Sequence, residues 1–234
     1  MIFPKVQLIT LKETPEREDR AIKHLHKLGL SFRVHRFDKH PEIGWKGCID
    51  SHLRVYQYAA DMKMEWVFVC EDNIMANENA LPREKYTNLF KFISSSPSWG
   101  IVFTGGYILR PWDYCSETPY PQVYETRNNN HGTVSYIIHS RLYNKIIEMH
   151  KRDPIREHFD IFISRFTCYI YNPLLFYHAH DIVSNINRKS DVWRRFWFHP
   201  TMMNIHSYVF FNRRLALIII AAVLAVILLM FRIR

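Results

Sequence analysis

From Leu215 to Phe231 the chain runs LALIIIAAVLAVILLMF, seventeen residues without a polar side chain. A helix of that length spans about 25 Å, the short end of what crosses a bilayer. A helix packed on a soluble core keeps a polar face, and this run has none. Arg213, Arg214 and Arg232 fence it, and their long stems can carry the charge to the headgroups. The run predicts one transmembrane helix over 213–234, so residues 1–187 must build their own core. A short span suits a thin bilayer such as the endoplasmic reticulum. The opening Met1-Ile2-Phe3-Pro4-Lys5 lacks the apolar stretch of a signal peptide. The expectation is a tail anchor inserted after synthesis, with the domain facing the cytosol.

The charge agrees with that division. The chain carries +9, yet eight of its 31 Lys and Arg lie from Arg188 onward, against Asp191 alone. A nucleic-acid binder is expected to carry its positive charge on the folded domain. Here it flanks apolar sequence, where each cation near an anionic bilayer contributes about 1 kcal/mol. Membrane is the expected partner and nucleic acid is not. On a helix, Trp193, Phe196 and Trp197 share one face, with Arg194 and Arg195 turned aside. Residues 188–212 therefore read as a juxtamembrane, interfacial segment; an aromatic strip docked on the domain is the alternative. Cys48, Cys70, Cys115 and Cys168 form no CxxC pair and no zinc-site spacing, and no Asn-x-Ser/Thr sequon occurs. Both suit a reducing compartment.

In residues 1–187, strand-like and helix-like segments alternate. Val6 to Leu11 reads as a strand. Thr14-Pro15-Glu16 then reads as a helix start, with Thr capping and Pro at the first helical position, and Gly29 closes that helix. Ser31 to Phe37 alternates as a second strand ending on Asp38, so the opening is a parallel β-α-β unit. Further helices are expected over Cys48–Met62, Arg83–Ile93 and from a Ser140 cap through Ile147. Further strands are expected over Trp66–Cys70, Ile101–Phe103 and Gly132–Ile138. Residues 110–131, rich in Pro and Asn, read as a long loop of the kind that serves function. The fold class is α/β, a mixed sheet sandwiched by helices.

In an open α/β sheet, ligands bind beyond the carboxyl ends of the strands. The turn from Thr10 to Arg17, then Asp38, then Glu71-Asp72-Asn73 fall there. A helix start near Thr14 offers free N–H groups to phosphate oxygens. Asp38 is placed to accept from a ribose or base hydroxyl, and Glu71-Asp72 supplies hard oxygens for a divalent ion. No GxGxxG follows the first strand and no GxxxxGK[ST] occurs, which disfavours dehydrogenase and P-loop readings.

Four segments in order carry a resemblance: Leu8 to Arg17, Gly47-Cys48-Ile49-Asp50-Ser51-His52, Trp66 to Asn73, and Gly132 to Ser140. They resemble the opening strand and turn, the GCxxSH signature, the ILEDD strand and the GTxAYxIS strand of glycosyltransferase family 25. That is the lipooligosaccharide-biosynthesis and procollagen galactosyltransferase group. The resemblance runs from about Val6 to about Ile186 and implies a GT-A, Rossmann-type domain. It further implies a UDP-hexose donor (galactose or glucose), a glycan, glycolipid or protein acceptor, and inversion at the anomeric carbon. Mn2+ or Mg2+ would be held by Asp72 with Asn73, and Thr10, Lys12, Arg17, Asp38, Ser51, His52 and Glu71 would meet the donor. Asp160 sits where the family places an acid and is the expected base, with Asp113 second. Asn73 stands where the family has its last acid, so metal binding should be weaker. A non-catalytic relative, membrane-anchored and serving to bind, is the competing reading.

Overall fold

The structure, a computed structural model, describes residues 5–80, 86–96, 98–105, 115–126 and 132–179, with Ile218 and Ala222 beyond them. The expected juxtamembrane segment and anchor lie outside the described residues, apart from Ile218 and Ala222, which are helical and exposed. Among the described residues no helix is long and apolar enough to cross a membrane.

The opening unit forms as the pattern predicts. Strand β1 (Val6–Leu11) leads into α1 (Pro15–Lys27) and returns as β2 (Phe32–Phe37), in parallel register from Val6 against Phe32 to Leu11 against Phe37. Pro15 opens α1, Glu16 and Glu18 lie in its first turn, and His24, His26 and Lys27 in its last, all complementary to the helix dipole. Thr14 is the N-cap but makes no side-chain cap; its hydroxyl donates instead to Leu11 O at 3.5 Å. The helix ends in a Schellman turn, with Leu30 N–H on Leu25 O at 3.0 Å and Gly29 at φ 62°.

Next come α2 (Gly44–Asp61), β3 (Trp66–Glu71), the short β4 (Ile74–Ala76) and α3 (Thr87–Ser95). Helix α2 starts four residues earlier than the sequence suggested. Strand β5 (Ile101–Gly105) precedes the stretch expected to be a loop, which instead holds an antiparallel pair, β6 (Cys115–Glu117) and β7 (Val123–Thr126). Strand β8 (Ser135–His139) enters α4 (Ser140–Arg152), and here His139, not Ser140, is the cap: its Nδ1 accepts from Arg141 N–H at 3.1 Å. A short α5 (Phe159–Ile163), β9 (Cys168–Tyr171) and β10 (Phe176–His178) complete the described chain.

The strands share one sheet in the order β2-β1-β3-β8-β5-β9-β7-β6, and β10 pairs with β4 and β5. β2, β1 and β3 run parallel, while β8 lies antiparallel between β3 and β5. Successive residues serve opposite faces, as the pleat requires. Val67 and Val69 of β3 join one core with Tyr56, Tyr143 and Phe159, whereas Phe68 and Cys70 join the other with Leu25, Phe90 and Phe176. The first core sits under α2, α4 and α5, the second under α1 and α3, so the mixed sheet is sandwiched by helices.

Helix α2 closes with the same hydrogen-bond geometry as α1, Met64 N–H reaching Ala59 O at 2.9 Å, but its left-handed residue is Lys63, at φ 52°. A non-glycine residue is strained there. Lys63→Gly is expected to raise unfolding free energy by about 0.5–1 kcal/mol, because relief of strain exceeds the added entropy of the unfolded chain. Urea unfolding checks this; a lowered midpoint would show that the turn is held by other contacts.

Candidate functional site

The parallel strands all end on one edge, and a cavity of about 110 Å³ opens there. β1 brings Thr10 and the first turn of α1 brings Arg17. The link after β2 brings Lys39 and His40. Helix α2 presents Gly44, Gly47, Cys48, Ser51 and His52, whose 3–4 residue spacing places them on one face. Glu71, Asp72 and Asn73 follow β3, and His178 arrives at the end of β10. At Gly47 an added Cβ would stand 2.9 Å from the Cβ of His40, so glycine there lets the β2–α2 link close onto the helix.

Glu71 is a heavily bonded carboxylate. Its Oε1 accepts from His52 Nε2 at 3.3 Å and from the Thr133 hydroxyl, and its Oε2 from Asn73 Nδ2 at 3.1 Å. Burial alone would raise the carboxyl, but the hydrogen bond and charge of His52, with the hydrogen bond from Thr133, hold it down at about 2. Beneath it a buried chain continues: His52 Nδ1 meets Tyr136 Oη at 2.7 Å, and Tyr136 meets Tyr56 at 2.7 Å. His52 stacks on Phe159 at 4.8 Å. On the other side, Asn73 Nδ2 reaches His178 Nε2 at 3.3 Å, and His178 Nδ1 lies 3.0 Å from Ala179 O. A carbonyl only accepts, so His178 carries its proton on Nδ1 and takes the Asn73 hydrogen on Nε2.

Asp72 is 5% exposed and is held by an ion pair: Arg17 Nη2 donates to Oδ1, and Thr10 Oγ1 donates to Oδ2 at 3.2 Å. Burial pushes its carboxyl above the usual range; the Arg17 charge opposes that and the Glu71 charge adds to it. Arg17 Nε and Nη1, and Asn73 Oδ1, are buried without a partner.

The expected cation site therefore has a different occupant. Each oxygen of Glu71 and Asp72 accepts from a protein donor, and a guanidinium holds the place at Asp72 where the sequence put a divalent ion. Asn73 turns its amide nitrogen toward Glu71. Among the described residues, one group has metal-ligand proximity: Cys48, His52 and Glu71, with ligand atoms within 4.8 Å. Burial, then the Glu71 charge, pushes the Cys48 thiol well up, and sulfur and imidazole suit softer ions than Mg2+ or Mn2+. As arranged, these residues do not fit a hard divalent ion.

Thr10, Arg17, Ser51, His52, Glu71, Asp72 and Asn73 do converge on the cavity, as expected from the strand ends and the family resemblance. The Ser51 hydroxyl is spent within α2, donating to Gly47 O at 2.7 Å. Lys12 and Asp38 pair with each other at 2.8 Å on the exposed surface and do not line the cavity. Asp160 does not line it either: it accepts from the backbone N–H groups of Gly132 and Ile161, both at 2.9 Å, and so ties the start of the β8 segment to α5. Asp113 lies outside the described residues. The sequence reading passed over Lys39, His40, Gly44 and His178, and quoted Gly47 and Cys48 only within the GCxxSH segment without a site role. With α2 begun at Gly44, its one-face spacing finds Gly44, Gly47 and Cys48, and the strand-end rule extended past Asp38 finds Lys39 and His40. Nothing local pointed to His178.

A polar cavity at the carboxyl ends of parallel strands, beside two helix starts, is the arrangement of an α/β phosphate-binding domain. Residues 42–163, just over half of the chain, match glycosyltransferase family 25 (LPS biosynthesis protein), and the chain belongs to that family. Among solved structures, the chain is similar to a glycosyltransferase involved in the glycosylation of the major capsid of PBCV-1. That likeness has 13% identity and a TM-score of 0.43, covering 86% of this chain and 100% of that one. An apo UDP-glucose pyrophosphorylase gives 12% and 0.41, over 90% of this chain and 82% of that one. The glycosyltransferase GlyE of Streptococcus pneumoniae TIGR4 gives 9% and 0.42, over 90% and 64%. No curated protein sequence matches.

Glu71 links the site to stability. Its folded value of about 2 lies below the ordinary 4.5, so ionisation favours the fold above pH 4.5, and this contribution fades as pH falls toward 2. The full difference is about 3 kcal/mol. Asp72, raised, acts oppositely: its ionisation opposes the fold as pH rises through the ordinary range. Urea midpoints between pH 5 and pH 3 should fall less steeply in Glu71→Gln than in the parent. An identical slope would mean that His52 and Thr133 do not hold the carboxylate as described.

Proposed function

We propose that the protein is a membrane-tethered hexosyltransferase that takes galactose or glucose from a UDP-sugar. The observation that carries this reading is the cavity at the ends of β1 and β3, where Arg17, Lys39 and His52 face a site bounded by Glu71 and Asp72. Family membership supplies the reaction class. In an inverting transfer, the acceptor hydroxyl attacks the anomeric carbon, the bond to the diphosphate breaks, and UDP leaves with the electron pair. The hydroxyl proton passes to a base. Asp160 is committed to backbone N–H groups, so Asp113 is the carboxylate we assign to that role. The acceptor is a glycan, glycolipid or protein glycan near a bilayer, a reading supported by the apolar run over Leu215–Phe231 and the basic, aromatic segment before it.

A second reading has its own observation. The replacement of an acid by Asn73, together with the locked Arg17–Asp72 pair, suits a relative that binds a nucleotide without turning it over. Incubation with UDP-glucose or UDP-galactose separates the two. The active reading predicts UDP release from at least one donor and loss on the order of a hundredfold in His52→Ala. UDP binding without release from either donor would leave only the second reading. The tether has a separate test: the full chain should stay with membranes through alkaline carbonate extraction, and a chain ending at residue 187 should be released. Release of both would remove the anchor from the proposal.

A further inference from the structure

We infer that this site holds the donor's diphosphate on protein cations, Arg17 with Lys39, in place of a divalent ion. The inference rests on the nucleotide-sugar reading of the cavity and deepens it. Three independent features point the same way.

The first is the state of the acids. A hard divalent ion needs carboxylate oxygens that are free to turn toward it. Glu71 accepts from His52, Thr133 and Asn73, and Asp72 from Arg17 and Thr10. Admitting an ion would mean expelling a guanidinium from a buried contact.

The second is the supply of donors. Arg17 has spent one nitrogen on Asp72, and its Nε and Nη1 are buried without partners. A fork of N–H groups that is preorganised and unpaired matches phosphate oxygens. Lys39 stands exposed in the cavity lining with no ion pair among the described residues. His40 Nδ1 accepts from the backbone N–H groups of Glu42 and Ile43, at 3.2 and 3.1 Å, which fixes its proton on Nε2 as a further donor.

The third is the start of α2. Its N-cap, Ile43, offers no side-chain oxygen, its first turn holds no acid, and Gly44 lines the cavity. The unpaired N–H groups of an 18-residue helix therefore begin at the edge of the site. Apart from the engaged carboxylates, the charged groups facing the cavity are donors.

Calorimetry with UDP on the detergent-solubilised full chain tests this, with EDTA in one arm and Mn2+ in the other. The expected result is binding in both arms with dissociation constants within about threefold. Arg17→Lys keeps a cation against Asp72 but loses the fork, and should weaken binding at least tenfold in EDTA. Lys39→Ala, exposed and remote from the core, should weaken it severalfold with an unchanged melting temperature, and serves if Arg17→Lys proves unstable. Asp72→Asn separates the two views by sign. It removes a negative charge beside the phosphates while keeping an acceptor for Arg17, so UDP should bind as well or better. Binding that appears only with Mn2+, or that Asp72→Asn abolishes, would overturn the inference and leave the nucleotide-sugar reading intact. Absence of UDP binding in both arms would remove that reading as well.

Discussion

A carboxylate at the buried tip of a strand must be given hydrogen bonds or lose its charge. Glu71 meets that requirement with three donors, drawn from α2, from the residues leading into β8 and from the turn after β3. Because His52 is itself tied to Tyr136 and Tyr56, one ionised group fixes the spacing between α2 and the sheet. The same side chain orients Asn73, and Asn73 in turn meets His178 at the end of β10. The cavity keeps its shape because its floor is a hydrogen-bonded layer continuous with the core.

The insertion of β8 between β3 and β5 has a consequence for that layer. It is antiparallel to both, so it runs away from the edge where they end and brings its first residues there. Thr133 and Ser135 thus arrive beside Glu71 and Cys70; the Ser135 hydroxyl takes the Cys70 thiol at 3.3 Å and pairs with Thr104 at 2.7 Å. A purely parallel sheet would have put that segment's carboxyl end there instead. The one reversed strand supplies hydroxyl donors where acids are buried.

The sequence made the frame legible because its signals are local. Short apolar runs marked β1, β3, β5 and β8, alternation marked β2, and Pro15 with Gly29 bracketed α1. The strand-end rule brought Thr10, Arg17, Glu71, Asp72 and Asn73 to the cavity and misplaced Asp38. Short elements whose residues are chosen by distant partners were not legible. β6 and β7 lie in a Pro- and Asn-rich stretch, and β7 is a strand because β9 lies alongside it. His178 reaches the site because β10 pairs with β4 and β5. Side-chain roles failed for a related reason. Asp38 and Asp160 are acids at plausible positions, but whether an acid faces a ligand or a neighbouring N–H depends on geometry that spacing does not carry.

The exchange at position 73 and the Arg17–Asp72 pair are two parts of one electrostatic arrangement. A third acid after Glu71 and Asp72 would place three negative charges at one buried strand end, where like charges raise each other's cost of ionisation. A divalent ion relieves such a cluster. With Asn73 the third charge is gone, and its amide donates to Glu71. The one positive charge of Arg17 is then enough for Asp72, whose carboxyl is raised by burial and by Glu71. An amide beside two acids leaves a cluster that a guanidinium can balance, and the guanidinium held there, on a residue that lines the cavity, keeps its Nε and Nη1 buried without a partner. The acid the resemblance calls for is replaced by an amide, and the oxygens of the two acids that remain are engaged by protein donors, so the exchange at position 73 and the ion pair at position 72 are consistent with each other.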